Sequence, residues 1–215
     1  AIQYSCKYGF ERRQFGQPIA AFDAIQKKIA EMFIHTFALE SIIYNTAHQL
    51  DEAIAAVDAN SSAFSHDIAQ AIEKFAIECS ICKVFGSESY WNIADEGLQI
   101  YGGYGCIEDF PMARMLRDTR VDRIYEGTNE INRQIILGYI IKKTLLEELP
   151  IREKIKKLQE GNKVEIILSA DDPLAAEKQA LEKAKQLTLY LVKEALPCFG
   201  QDLLTQQQIG EMLSD

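Results

Sequence analysis

The stretch from Leu116 to Ile131, LRDTRVDRIYEGTNEI, holds the residue types best placed to do chemistry. One carboxylate, Glu126, stands between Tyr125 and Gly127, with a helical pattern on either side. Arg114, Arg117, Arg120 and Arg123 precede it; Thr128 and Asn129, both helix-capping types, follow it. A helix that starts at such a cap presents unpaired backbone N–H groups and the positive end of its dipole. That end suits a phosphate or a developing oxyanion. The same spacing also describes a capped turn whose glutamate is merely solvated, and spacing alone leaves both readings open.

Three other features carry candidate chemistry. Phe10 to Pro18, FERRQFGQP, reads as a loop, and its adjacent Arg12 and Arg13 could clamp a diphosphate or simply be solvated or ion-paired. Gly102, Gly103 and Gly105 follow a helical pattern rather than a strand, so they make no dinucleotide fingerprint, and a left-handed glycine ending a helix accounts for them. Cys79 and Cys82 form a C-x-x-C with no second pair and no strand before it, so small buried helix residues are expected there. His35 and His48 have no metal-spaced partner, and no metal site is expected.

The elements that must position these groups read as helices throughout. Ala1 to Tyr8 has the pattern of last helical turns, with Gly9 as the stop. Phe22 to Val57 keeps a helical apolar period through Ile25, Ile29, Met32, Leu39 and Ile43, with Asp23 and Gln26 as a capping pair. Unbroken, that run is roughly 54 Å long and belongs to a bundle. Ala59 to Ser62 is a polar break, after which Phe64 to Tyr101 reads as a second long helix. Gly86 and Ser87 within it suggest close approach of a neighbouring helix or ligand. Pro111 to Asp118 is a short helix with proline in its first turn, and Asn129 to Leu146 another helix. Glu147 to Pro150 marks a boundary. Beyond it come a short charged helix over Ile151 to Glu160, an apolar run over Val164 to Ser169, and an amphipathic helix over Pro173 to Leu196 that ends before Pro197.

Composition narrows the class. A hydrophobic content of 47 % in 215 residues allows a sizeable core in one large domain or two small ones. The net charge of −9 argues against nucleic acid or an anionic membrane as partner. There are 14 basic and 19 acidic residues before Glu147, and 9 and 13 from it onward, so the excess is no acidic tail. Five scattered cysteines fit a reducing compartment, and no apolar run is long enough to span a bilayer. The start without Met and the end without a stop suggest a piece of a longer protein.

Taken together, ERRQFGQPI, LQIYGGYG and LRDTRVDRIYEGTNEI, in this order and spacing, resemble the acyl-CoA dehydrogenase family over Ala1 to about Lys142. ICKVFGSESYW and the helical extension past Pro150 are similar to its very-long-chain branch. The resemblance implies an all-α fold, with a C-terminal four-helix-bundle domain over 1–148 and a partial helical extension over 149–215. The family's N-terminal helical and middle β-domains would be missing, leaving this piece inactive by itself. The implied reaction is FAD-dependent α,β-desaturation of a fatty acyl-CoA in β-oxidation, with Glu126 as catalytic base.

The same resemblance assigns Arg12, Arg13 and Gln14 to the FAD diphosphate of a neighbouring subunit in a homodimer or higher homo-oligomer. It assigns Gln99, Ile100, Tyr101, Gly102 and Gly103 to a backbone segment touching that flavin, and Gly127, Thr128, Asn129 and Glu130 to FAD binding just after the base. Some members carry the base on the helix before the paired arginines, but Ala1 to Phe10 contain no Asp or Glu. A substrate-contacting arginine of some members has no counterpart in Asn60 to Asp67. Electron-transfer flavoprotein is the implied electron acceptor, and the bacterial cytoplasm or mitochondrial matrix, not a secreted setting, the implied location. An acyl-CoA oxidase, reoxidised by dioxygen, and a non-catalytic helical assembly scaffold are the alternatives.

Overall fold

Small side chains at closely spaced helical positions decide how the first part of the chain packs. The computed structural model describes residues 1–160 and 172–215, so the apolar run Val164 to Ser169 lies outside the described residues. By packing, the chain divides into two units, Ala1–Asn132 and Arg133–Asp215. In the first, α1 (Ile2–Glu11) leads into a hairpin of β1 (Arg13–Gln14) and β2 (Gln17–Pro18). Then follow α2 (Asp23–Ala55), α3 (Phe64–Glu73), α4 (Ala76–Tyr101) and α5 (Pro111–Thr119). Helix α6 (Asn129–Leu145) starts in this unit and continues into the next. The all-α expectation holds apart from the hairpin.

Helix α4 packs against α1, α2 and α5. Its buried positions form two adjoining stripes, Ser80-Val84-Ser87-Ala94-Gly97-Tyr101 and Ser89-Ile93-Ile100. Most of them are small, which lets neighbouring backbones come close on more than one side. A Cβ on Gly97 would lie 3.0 Å from Met112 Sδ on α5 and 3.2 Å from Ser5 Oγ on α1. Gly97 is therefore where three helices meet. The suspected close approach at Gly86 is also present, with Leu39 of α2 3.3 Å from where a Cβ would stand. The core of this unit gathers Met32, Ile93 and Ile100, with Ile2, Tyr8, Ile25 and Ile29 packed around them. A part-buried Lys28–Glu96 ion pair ties α2 to α4 at the same level.

Several expectations need correction. Helix α1 runs past Gly9 to Glu11, because Gly9 is buried and passes Ala20, whose Cβ would sit 3.4 Å from a Cβ there. Asp23 and Gln26 form no capping pair: Gln26 Nε2 donates to the Ala20 carbonyl instead, at 3.0 Å. The run Phe64 to Tyr101 is two helices, because the Phe75 N–H bonds the Ile72 carbonyl three residues back and tightens the chain into a turn. Cys79 is exposed and Cys82 half-buried with its thiol 3.6 Å from Thr46 Oγ1, so neither is a buried filler. Among the described residues there is no cluster able to hold a metal ion, and no helix is long and apolar enough to cross a membrane.

In the second unit, the rest of α6 packs with α8 (Ala175–Phe199) and α9 (Gln207–Ser214) around Leu137, Ala195 and Leu203; α7 (Ile151–Gln159) precedes them. Arg133 Nε donates to Asp215 Oδ1 at 2.6 Å, and Ser214 Oγ to the Arg133 carbonyl at 2.8 Å. Helix α8 runs through Pro197 and stops only at Gly200, at φ +54. Proline removes one N–H in the last turn, a local cost. Continuing the helix seats Leu196 and Phe199 against the Leu137 cluster.

The crossing at Gly97 yields a stability test. Gly97→Ala is expected to cost about 1–3 kcal/mol, because Met112 and Ser5 are fully buried and cannot retreat. Gly103→Ala, with open space around its Cβ position, is expected to stay within about 0.5 kcal/mol. Denaturant midpoints of the two variants check the contrast.

Candidate active site

After α5 the chain makes a 3₁₀ turn over Arg120–Arg123 and then a tight bend. Glu126 sits at φ +55 and Gly127 at φ +80. The left-handed region suits glycine but costs a glutamate about 1 kcal/mol, so the surroundings must impose it. Asn132 is one such constraint: its Nδ2 donates to the Gly127 carbonyl at 2.8 Å and to the Thr128 carbonyl at 3.1 Å. Thr128 is another, its Oγ1 accepting the Ile131 N–H at 3.3 Å as an N-cap.

Asn129 does not cap. It is 1 % exposed and faces inward onto α4. Its Oδ1 accepts from Lys83 Nζ at 2.7 Å and lies 3.1 Å from Ser87 Oγ. Its Nδ2 donates to Ser87 Oγ and to Glu88 Oε1, both at 3.0 Å. Glu88 also meets Arg123 at 3.5 Å. With that many partners inside the unit, the Asn129 side chain is unavailable to a cofactor. Of the residues that anchor it, Ser87 was noted in the sequence as a point of close approach, while Lys83 and Glu88 escaped sequence reading. The i, i+4 spacing of Lys83 and Ser87, which puts both on one helix face, was the available signal.

The Glu126 carboxylate is exposed, as are Gly127 and Glu130. Within five residues of it, Val121, Ile124, Tyr125 and Ile131 are also about half exposed. Tyr125 Oη donates to Asp122 Oδ1 at 2.9 Å, which pushes the phenol pKa up. Of the preceding arginines, Arg117 makes a bidentate pair with Glu108 at 2.8 and 3.3 Å, holding that carboxyl below its usual range. Arg114 pairs with Asp118 at 3.5 Å. These arginines are committed to carboxylates close by.

A second assembly forms where α1, the hairpin and the end of α4 converge. Arg12, Gln14, Ile100, Tyr101, Gly102 and Gly103 line an open pocket of about 360 Å³. Six residues separated by almost ninety positions in sequence are thereby brought together. Gly102 ends α4 at φ +59 and ψ −140, which is not the left-handed helical conformation expected but is equally a glycine conformation. The Arg12 guanidinium lies over the Tyr104 ring, 5.5 Å from its centroid. Tyr8 stacks on Tyr101 at 4.1 Å, and burial raises the Tyr101 phenol pKa while its hydroxyl donates to the Tyr4 carbonyl. Arg13 and Gln99 do not line this pocket. Extended backbone sends successive side chains to opposite sides. Arg13 therefore turns away, and its Nη2 donates to the Gly16 carbonyl at 3.1 Å across the hairpin turn. The paired arginines do not act as one clamp within this chain.

Residues 1–140 match the family described as Acyl-CoA dehydrogenase, C-terminal domain. The chain belongs to the acyl-CoA dehydrogenase family. A probable acyl-CoA dehydrogenase of Bacillus subtilis (strain 168) is 39 % identical over 218 residues, covering 100 % of this chain and 36 % of that protein. The crystal structure of an acyl-CoA dehydrogenase complexed with FAD from Bacillus anthracis superposes with a TM-score of 0.92 at 38 % identity, covering 99 % of this chain and 36 % of that one. The human very long-chain specific acyl-CoA dehydrogenase, mitochondrial, is 37 % identical over 135 residues, or 63 % of this chain and 18 % of that protein. This acyl-CoA dehydrogenase chain thus spans about a third of the length of the Bacillus relatives.

The Asn129 hub has a measurable consequence. Asn129→Ala leaves Lys83, Ser87 and Glu88 without their common partner and should cost about 1–3 kcal/mol. Hydrogen exchange should quicken at the amides of 127–132 in that variant and stay unchanged in the hairpin.

Proposed function

We propose that this chain is the C-terminal part of an FAD-dependent acyl-CoA dehydrogenase that desaturates a fatty acyl-CoA thioester between its α- and β-carbons. The supporting observation is Glu126 itself. An exposed carboxylate is held in a left-handed conformation at the entrance to α6, inside the segment matched to the family. Strained non-glycine residues of this kind gather at functional sites.

In this reading Glu126 removes the α-proton of the thioester. The proton leaves as the adjacent carbonyl takes on enolate character, and the Glu126 backbone N–H donates to that oxygen. The reaction calls for a carboxylate shielded from water, and this one is exposed. Closing acyl chain and ring against it would exclude water, and burial of that kind makes a carboxylate a better proton acceptor. The half-exposed Ile124, Tyr125 and Ile131 nearby give such a closure an apolar rim.

FAD, when bound, supplies the acceptor for the hydride leaving the β-carbon. The pocket around Arg12 fits the diphosphate part of such a cofactor: a cation, a tyrosine wall and two glycines that let a ligand approach the backbone. Arg12, Gln14 and the segment Gln99 to Gly103 would hold the flavin of a neighbouring subunit, and Gly127, Thr128 and Glu130 that of the same subunit. Arg13 would contribute only after turning away from Gly16. The parent would then be a homo-oligomer passing electrons to electron-transfer flavoprotein, in the bacterial cytoplasm or the mitochondrial matrix. Residues 1–148 would be its bundle domain and 149–215 part of a helical extension.

Full-length protein is expected to be yellow and to bleach when acyl-CoA is added without oxygen; a colourless preparation would overturn the reading. Glu126→Gln should keep its flavin yet bleach at least ~100-fold more slowly. Arg12→Met should weaken flavin retention about tenfold, as expected for loss of a charge-assisted contact. Arg13→Met, whose guanidinium faces the Gly16 carbonyl, should weaken it less.

A further inference from the structure

Ser87 Oγ lies 3.1 Å from Asn129 Oδ1 and 3.1 Å from the Val84 carbonyl, but it has one proton for the two acceptors. Ser87 Oγ already accepts from Asn129 Nδ2 at 3.0 Å, so its proton suits the Val84 carbonyl, and Lys83 Nζ, at 2.7 Å, is the donor that holds Asn129 Oδ1. It also settles which way the amide points, with oxygen toward the ammonium and nitrogen toward the Glu88 carboxylate. Asn129 is the first residue of α6, two positions after Gly127. Turning its amide over would set a carbonyl oxygen against Glu88 and an NH₂ against Lys83. The bent Glu126–Gly127 pair would then lose one of its anchors, keeping only those of Asn132 and Thr128.

We propose that Lys83 is a positioning residue for Glu126, acting through the Asn129 side chain. The proposal rests on the reading of Glu126 as the base. Half-buried on α4, Lys83 has its pKa lowered by burial, while Glu130, Glu126, Asp122 and Glu88 oppose that shift. The ammonium thus lies among the charges of the loop it steadies. It does not line the pocket around Arg12, and beside its charge attraction to the loop carboxylates its one hydrogen bond there is to Asn129. A displacement of about 1 Å at a reacting group costs on the order of a hundredfold in rate.

The test uses full-length flavoprotein with Lys83→Met, Lys83→Arg and Glu126→Gln side by side. Lys83→Met is expected to lower kcat about 10- to 100-fold, with flavin content and KM within about twofold of the parent. Lys83→Arg, which keeps a charged donor, is expected to recover most of that loss. A Lys83→Met kcat within about twofold of the parent overturns the proposal, and so does a joint fall of kcat, flavin content and thermal midpoint that arginine does not rescue. Should Lys83→Met yield no flavoprotein, Lys83→Gln is judged by the same two criteria. A normal Lys83→Met beside a disabled Glu126→Gln overturns this proposal alone. A normal Glu126→Gln removes the base reading, and this proposal with it.

Discussion

A glutamate held at φ +55 is a conformation the chain would not choose by itself, and much of the first unit can be understood as what holds it there. The opposing cost is about 1 kcal/mol, small against several hydrogen bonds but large enough to need them. Asn132 ties down the two carbonyls that follow the bend, Thr128 caps the helix, and Asn129 is locked into α4 by Lys83, Ser87 and Glu88. Each contact acts just after the bend rather than on Glu126 itself. Among the described residues no hydrogen bond or ion pair engages the carboxylate itself, although the Lys83 ammonium attracts it.

Helix α4 connects this bend to the pocket. Its middle carries Lys83, Ser87 and Glu88, while its last turn supplies Ile100 and Tyr101 to the pocket that Arg12 completes. Between these two regions lies Gly97, where α1 and α5 cross close to the α4 backbone. The spacing between the proposed base and the proposed diphosphate site is thus carried by one rigid element. A bulkier residue at Gly97 would disturb both ends through the same helix.

Much of this was legible in the residues. The helical periods placed α2, α5 and α6 to within a few positions, because apolar residues recur at helical spacing over most of their length. Gly86 announced its close approach, since a side chain left out of a periodic helical run makes room for a neighbour. Failures came where a local signal competed with packing. Gly9 and Pro197 look like stops, yet burial of Gly9 against Ala20, and of Leu196 and Phe199 near Leu137, carries both helices onward. Asn129 looked like a cap because asparagine usually is one there. Only the fold shows Lys83, 46 positions earlier, claiming its side chain. The hairpin turn of Phe15 and Gly16, both at positive φ, was hidden because phenylalanine is a poor guide to that conformation.

The exposure of Glu126 sets a limit on what this chain does for itself. Removing a proton beside a thioester needs a carboxylate shielded from water, and here the side chains around it are half exposed. The same holds on α2, where Phe33 and Phe37 are 55 % and 74 % exposed while Met32 is 1 %. Helix α2 thus has one face in the core and exposed aromatic residues on another. What the chain provides is the position of the proposed base and of the Arg12 guanidinium on a common scaffold. In the proposed reaction, the shielding from water would have to come from the bound acyl chain and flavin ring.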